Sequence, residues 1–234
     1  MVEVSIIIPT YNEEKNIART LYYILNQTIP REKYEIIIVD GGSKDKTIEV
    51  ASKYADKIIF QKSKGVGGAR NDGAAIANGR ILIHTDADVI VEKNWIEKIL
   101  NKFSNGVIAV CGPDEPLEND VKLKILYNII NIISYIAAKL GIIWTRGTNT
   151  AVLKKAFLLI GGYKDYPICD DGELGIRLKK IGKIIYANDI KVKASARRFK
   201  KHGILKVLIE WARGDILVLI GRRPVGKYHK EKYF

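Results

Sequence analysis

The chain is poor in cysteine and lacks the spacings that cysteine chemistry needs. Its 234 residues include two, Cys111 and Cys169, which form no C-x-x-C, so neither a zinc site nor a disulfide framework is expected and both read as reduced thiols. A secretory signal is also missing. The opening "MVEVSIIIPTYNEE" has no basic n-region and only a short apolar run, and it reads as the first strand of a cytoplasmic chain. In "KILYNIINIISYIAAKL" the uncharged stretch from Ile125 to Ala138 is 14 residues long. That is short of the ~18 expected of a spanning helix and fits a core helix or an interfacial segment. Internal repeats and low-complexity tracts are absent, as is any nucleic-acid motif with base-stacking aromatics, so no nucleic-acid partner is expected.

What the chain has in excess is positive charge. Lys+Arg total 39 against 26 Asp+Glu, a net +13, which predicts attraction to phosphates, to nucleic acid or to an anionic membrane surface. The length suits one α/β domain. Apolar runs rich in Ile and Val stand at 4–9, 34–40, 57–60, 80–86 and 106–112, with helical patterns between them at about 13–26, 45–55, 67–78 and 93–103. Strands alternating with helices predict a mostly parallel central sheet covered by helices on both faces. From about 113 the pattern changes: an acidic, proline-bearing loop, a long apolar helix, further strand and helix, two short β segments near 183–195, an amphipathic helix and a basic tail.

Ligands of such sheets bind at the carboxyl ends of the strands, and there the chain places its polar residues. Pro9, Thr10, Tyr11, Asn12 and Glu13 end the first run, Asp40, Gly41, Gly42 and Ser43 the second, and Asp86 and Asp88 the fourth. Three such ends look like one site seen from three sides. Two carboxylates two residues apart must be offset by solvent, as in an ordinary turn, or by a cation, for which hard oxygen ligands are suited. Ser43 or Asp45 would also cap the helix that follows.

Four blocks, "SIIIPTYNEEKNI", "EIIIVDGGSKDKT", "GGARNDGAAIANGRILIHTDAD" and "GGYKDYPICDDGELGIRLKKIG", occur in an order and spacing that resemble the family 2 glycosyltransferases. The resemblance implies a GT-A-like fold and an inverting transfer of a sugar from a nucleotide-diphosphate donor, usually with Mn²⁺ or Mg²⁺. It implies donor-binding roles for Pro9, Tyr11 and Glu13 in the first loop and for Asp40 at the nucleotide base. Arg70 and Asn71 fall early in a helix whose glycines and dipole suit a diphosphate. Asp86 and Asp88 match the family's D-x-D, which holds the metal and the donor. Asp171 matches the catalytic base, with Asp170 orienting it or capping the helix. Arg197 and Arg198 resemble a basic element near the diphosphate. Relatives often carry a metal-binding His near that strand, where this chain has none. His202 comes later and reads as a solvated helix start, and Glu173 with Arg177 reads as a surface ion pair.

The expectation is one glycosyltransferase domain over 1–234, with a nucleotide-sugar half at 1–112, an acceptor half at 113–200, and an amphipathic helix and basic tail at 201–234. Its acceptor would be a glycan, a polysaccharide precursor or a lipid-linked molecule. Three rivals stand beside it. A dinucleotide oxidoreductase fails on "KGVGGARNDG", which has Arg70 where the third glycine belongs. A nucleotidyltransferase lacks the glycine-rich, lysine-bearing first loop. An inactive nucleotide- or membrane-binding module would not need Asp40, Asp86, Asp88 and Asp171 at element ends. The apolar helix at 121–140 and the amphipathic one at 203–213 either pack together as core or lie on the inner face of the cell membrane beside the basic tail.

Overall fold

The computed structural model describes residues 1–226; the end of the basic tail, 227–234, lies outside the described residues. The chain runs β1 (Val4–Thr10), α1 (Ile17–Leu25), β2 (Tyr34–Asp40), α2 (Thr47–Ala51), β3 (Lys57–Phe60), α3 (Gly65–Ile76), β4 (Ile81–His84), β5 (Val89–Val91), α4 (Trp95–Leu100), β6 (Val107–Cys111) and β7 (Asp114–Pro116). It continues through α5 (Val121–Lys139), β8 (Thr150–Leu153), α6 (Lys154–Leu159), α7 (Asp170–Lys179), β9 (Lys183–Tyr186), β10 (Val192–Ala194), α8 (Arg197–His202) and α9 (Ile204–Leu219).

Seven strands form the main sheet in the order β3-β2-β1-β4-β8-β6-β9. All neighbours are parallel except where β8 runs against β4 and β6. The isoleucine runs explain its centre, because alternate residues of a strand face opposite ways. Ile6, Ile8, Ile36 and Ile38 join one core with Leu21, Ile24 and Trp95, while Ile7, Ile37 and Val39 join a second with Ala69, Phe157 and Leu174 on the other face. α1 buries Ile17, Thr20, Leu21 and Ile24, the i, i+3, i+4, i+7 set of an amphipathic helix. Each of its three aliphatic side chains contributes roughly 1.5–3 kcal/mol on burial. Because β8 lies between β4 and β6, the two expected halves share one sheet.

A second sheet, β5-β10-β7, sits at the carboxyl end of the first. Two of its strands are missing from the expected pattern. Val89–Val91 directly follows the D-x-D, and Asp114–Pro116 lies in the stretch read as an acidic loop. Both are three residues long, too short to show a period. The register fixes the site: Thr10 lies opposite Asp40, Ile7 opposite His84, and Ala194 opposite both Val89 and Pro116. The loops after β1, β2, β4 and β10 therefore converge.

The two sheets meet at Gly112, where an added Cβ would stand 1.9 Å from the Ile190 carbonyl oxygen. Asn149 closes the same junction, its amide donating to Ile190 O at 2.8 Å and accepting from Trp95 Nε1 at 3.1 Å. A backbone atom cannot swing away, so Gly112→Ala is expected to cost about 1–3 kcal/mol by overpacking. Urea unfolding should show a lower midpoint with an unchanged m-value; an unchanged midpoint would mean that the junction is slack.

Candidate active site

The loops converge on a cleft of about 600 Å³. On one side the β1 and β2 loops are laced together. Asn12 N–H donates to Ser43 Oγ at 2.9 Å, Glu13 N–H to Thr47 Oγ1 at 2.7 Å, and Lys44 N–H to Asn12 Oδ1 at 2.8 Å. Ser43 is therefore a lace between loops and not a helix cap. Asp45 performs the capping, accepting from Thr47 N–H at 3.0 Å. Pro9, Tyr11, Glu13 and Gly41 line the cleft.

Two arginines organise the carboxylates. Arg197 donates to both oxygens of the buried Glu13, at 2.7 and 3.1 Å, and its Nε lies 3.3 Å from Asp88 Oδ2. Burial pushes the Asp88 carboxyl up to about 7, with Asp86 and Glu13 adding to the shift and Arg197 opposing it. Arg70, itself buried, donates from Nη2 to Asp86 Oδ1 at 2.7 Å. Burial works against the charge on Arg70, but Asp86, Tyr163, Asp170 and Asp171 outweigh it and raise its pKa. Beneath it, Tyr163 Oη lies 2.8 Å from Nδ1 of the fully buried His84. Burial, then Arg70, drives the His84 pKa well down, so the ring is neutral.

Across the cleft stands the start of α7. Cys169 precedes it at φ 57°, a left-handed conformation uncommon outside glycine, and the turn delivers Asp170 and Asp171 to the opening. Asp171 Oδ2 accepts from Gly147 N–H at 3.1 Å and Oδ1 from Gly172 N–H at 2.9 Å, while Thr145 Oγ1 donates to its carbonyl. Asp170 lies deeper. Its Oδ2 is buried with no hydrogen-bond partner and would meet a Cβ on Gly67 at 2.5 Å. Burial, then the charge of Asp171, pushes Asp170 up to about 7 against Arg70.

Of the predicted residues, Pro9, Tyr11, Glu13, Arg70, Asp86, Asp88, Asp170, Asp171, Arg197 and Arg198 border the one cleft. Asp40 and Asn71 do not. The Asp40 carboxylate is consumed by Thr10, Gly42 and Ser43, so in this structure it shapes the loop. Asn71 pairs both ends of its amide with the main chain of Tyr163, at 2.8 Å each, and joins α3 to the segment before α7. Glu173 and Arg177 are not a surface pair. Glu173 is buried, and Arg177 grips it at 2.6–2.8 Å while donating to the Ile160 and Gly162 carbonyls. His202 ends α8 and is not among the residues lining the cleft.

Sequence reasoning missed the far wall. Asp114 and Arg146 form a buried pair at 3.2 Å, with Thr148 donating to Asp114 at 2.8 Å. Trp144, Trp211 and Asp215 face the same space. Burial pushes Asp215 up to about 6, opposed by the Cys169 thiol and aided by Asp171. The only available signal was the polar run "TRGTNT" leading into a strand.

Asp86 and Asp88 fit a divalent cation by the chemistry of their donor set. Both are hard oxygen ligands on one short turn, with Arg197 at 3.3 Å from Asp88 and Arg70 at 2.7 Å from Asp86 as the cations beside them. Among the described residues no group of three or more His, Cys, Asp or Glu is poised as a complete cage.

Residues 5–160 match the family described as Glycosyl transferase family 2. The chain is 35% identical over 115 residues to the glycosyltransferase AglE of Haloferax volcanii, covering 47% of this chain and 38% of that protein. It is 29% identical over 198 residues to the probable glycosyltransferase YdaM of Bacillus subtilis, covering 77% and 47%. It thus spans less than half the length of these curated relatives. Among solved structures, the mannosyltransferase PcManGT from Pyrobaculum calidifontis, in complex with GDP-Man and Mn²⁺, superposes with a TM-score of 0.78 at 21% identity, over 96% of this chain and 65% of that one. Residues 1–349 of S. aureus TarS, in complex with UDP-GlcNAc, give 0.68 at 18% identity over 84% and 59%. The sheet order, the strand-end cleft and these matches agree: the chain has the GT-A fold and belongs to glycosyl transferase family 2.

Proposed function

We propose that the chain transfers a sugar, with inversion, from a nucleotide-diphosphate donor to an acceptor hydroxyl or phosphate. The observation that carries this reading is the placing of Asp86 and Asp88, flanked by Arg70 and Arg197, across one cleft from Asp170 and Asp171. Pro9, Tyr11 and Glu13 form the wall for the nucleoside. Arg70, Arg197 and the start of α3 offer positive charge to the diphosphate. Asp86 and Asp88 would hold Mn²⁺ or Mg²⁺, which when bound neutralises charge on the leaving diphosphate. The far wall mixes Trp144, Trp211, Ile130 and Ile133 with Asp215 and Arg146, a lining suited to the face of a sugar or to a lipid-linked acceptor.

An in-line displacement needs the acceptor proton removed on the side opposite the leaving group. Asp171 is partly exposed and oriented by two backbone amides, which leaves lone pairs to accept that proton. A second reading rests on the unpartnered Asp170 Oδ2 and on a carboxyl pushed up to about 7, near the value that suits a base at neutral pH. Its burial against Gly67 and Arg70 favours instead a role in holding Arg70 and the turn.

Three measurements test this. Nucleotide-diphosphate sugars with Mn²⁺ should stabilise the chain by about 2.7 kcal/mol at ~100 times their dissociation constant, and Asp88→Asn or EDTA should remove that gain; persistence in EDTA refutes the metal reading. Asp171→Asn should lower turnover about 10²- to 10⁴-fold with donor affinity unchanged, and Asp170→Asn should cost less. The reverse order would give the base to Asp170. The third measurement is of stability against pH. An aspartate raised to about 7 in the fold, against about 3.9 unfolded, makes the folded chain bind the extra proton, so its contribution is present below pH ~4 and lost as pH rises to ~7. Urea midpoints of Asp170→Asn should therefore gain on wild type over that interval; a constant difference would show Asp170 ionised throughout.

A further inference from the structure

Outside the cleft, the least accounted-for feature is an apolar surface on α5 and α9. On α5, Ile125, Ile129, Ile132 and Ile136 are each half or more exposed, at the i, i+4, i+7, i+11 spacing of a single helical stripe. The opposite side, Leu123, Leu126, Tyr127 and Ile130, packs on Phe199, Val207 and Trp211 in a third core cluster. α9 repeats the arrangement. Val207 and Leu208 face that cluster, while Leu205, Ile216, Leu219 and Ile220 stand more than half exposed. Of the two sequence alternatives, the inner faces meet the first by packing together as core, while the outer faces remain open. Exposed aliphatic stripes of this kind mark an interaction site.

The charges around it identify the occupant. Lys122, Lys124 and Lys139 on α5, Lys206 and Arg213 on α9, and Arg222 after it are all exposed. No Asp or Glu occurs between Val121 and Ile142. The two between 204 and 226 turn elsewhere, Glu210 to Arg198 at 3.1 Å and Asp215 to the Cys169 thiol. Isoleucine stripes bordered by cations and free of anions suit an anionic lipid surface. A two-fold pairing with a second copy would bring the same cations face to face.

We propose that the outer faces of α5 and α9 dock the chain on an anionic lipid bilayer, lying in its interface. By length and composition α5 alone among the described residues could cross a membrane. Crossing would strip it from Phe199 and Val207 and expose that cluster, so the helix lies on the bilayer and does not pass through it. Docking stands apart from the transfer reading, since it depends on neither donor nor metal.

Flotation of the 1–234 chain with vesicles tests it. The chain should float with vesicles containing an anionic lipid at low salt, less at high salt, and poorly with zwitterionic vesicles. The double variant Ile129→Glu/Ile132→Glu changes exposed residues outside the cleft lining and should cut partitioning about a hundred-fold, one decade for each isoleucine withdrawn from lipid. Lys122→Glu/Lys124→Glu should lower binding to anionic vesicles and flatten its salt dependence. Unliganded melting temperatures unchanged in both variants would show an intact fold without reference to donor binding, so a failure here is distinguishable from a failure of the transfer reading. A chain that stays in the soluble fraction at low salt overturns the proposal, as does a double variant that floats like wild type. A dimer seen by light scattering, lost in the double variant and unaccompanied by flotation, would assign the surface to a second copy instead.

Discussion

The site depends on one electrostatic constraint, the crowding of Glu13, Asp86, Asp88, Asp170 and Asp171 around one cleft with Arg70 and Arg197 as the cations that hold it. Each arginine is committed from a different element, Arg70 from α3 and Arg197 from the start of α8. Each therefore ties a distant segment to a strand end. Arg197 bridges Glu13 and Asp88, 184 and 109 residues away in sequence, so its contacts position the loops after β1, β4 and β10 together. Removing one partner from such a buried set leaves an uncompensated charge, which costs more than the pair contributes.

Burial, more than charge balance, sets the protonation of the deep carboxyls. Asp88 and Asp170 are both pushed up to about 7, each first by burial; Arg197 opposes the shift at Asp88, and the charge of Asp171 adds to it at Asp170. Asp86, more open at 34% exposure, retains solvent as a partner. On the proposed function, Asp86 and Asp88 would share a cation with the donor diphosphate, whose oxygens would complete its shell. The neutral His84 under Tyr163 fits the same economy, since a second cation below Arg70 would loosen its hold on Asp86.

How much of this can be read from sequence depends on whether a residue's role is local. The central strands are legible because isoleucine runs buried on both faces have few other uses. The strand-end carboxylates are legible because polar residues that end buried runs mark the loops. Asp40 and Asn71 carry contacts that spacing does not reveal: both stand at positions the resemblance gives to the donor, and their hydrogen bonds here run to Ser43 and to Tyr163. Glu173 and Arg177 look like an exposed i, i+4 pair until the Ile160 and Gly162 carbonyls close over them. Asp114 and Arg146 are hidden for the converse reason: neither stands in a motif, and their pairing joins β7 of the small sheet to the loop before β8 of the main sheet.

α5 and α9 connect the site to the surface. Tyr127, Ile130 and Ser134 on one helix, and Trp211 and Asp215 on the other, face the cleft, while the next residues around each helix form the exposed stripes. A soluble domain with no partner for these helices would gain from polar residues on the outer side, since aliphatic side chains there add nothing to the core and favour aggregation. Their retention, with cations and not acids beside them, is the pattern expected if the outer face has its own surface to cover. On the proposed docking, that surface would lie one helix thickness, about 10 Å, from the wall where an acceptor would bind. An acceptor carried in the bilayer would then approach Asp171 along the wall that these helices form.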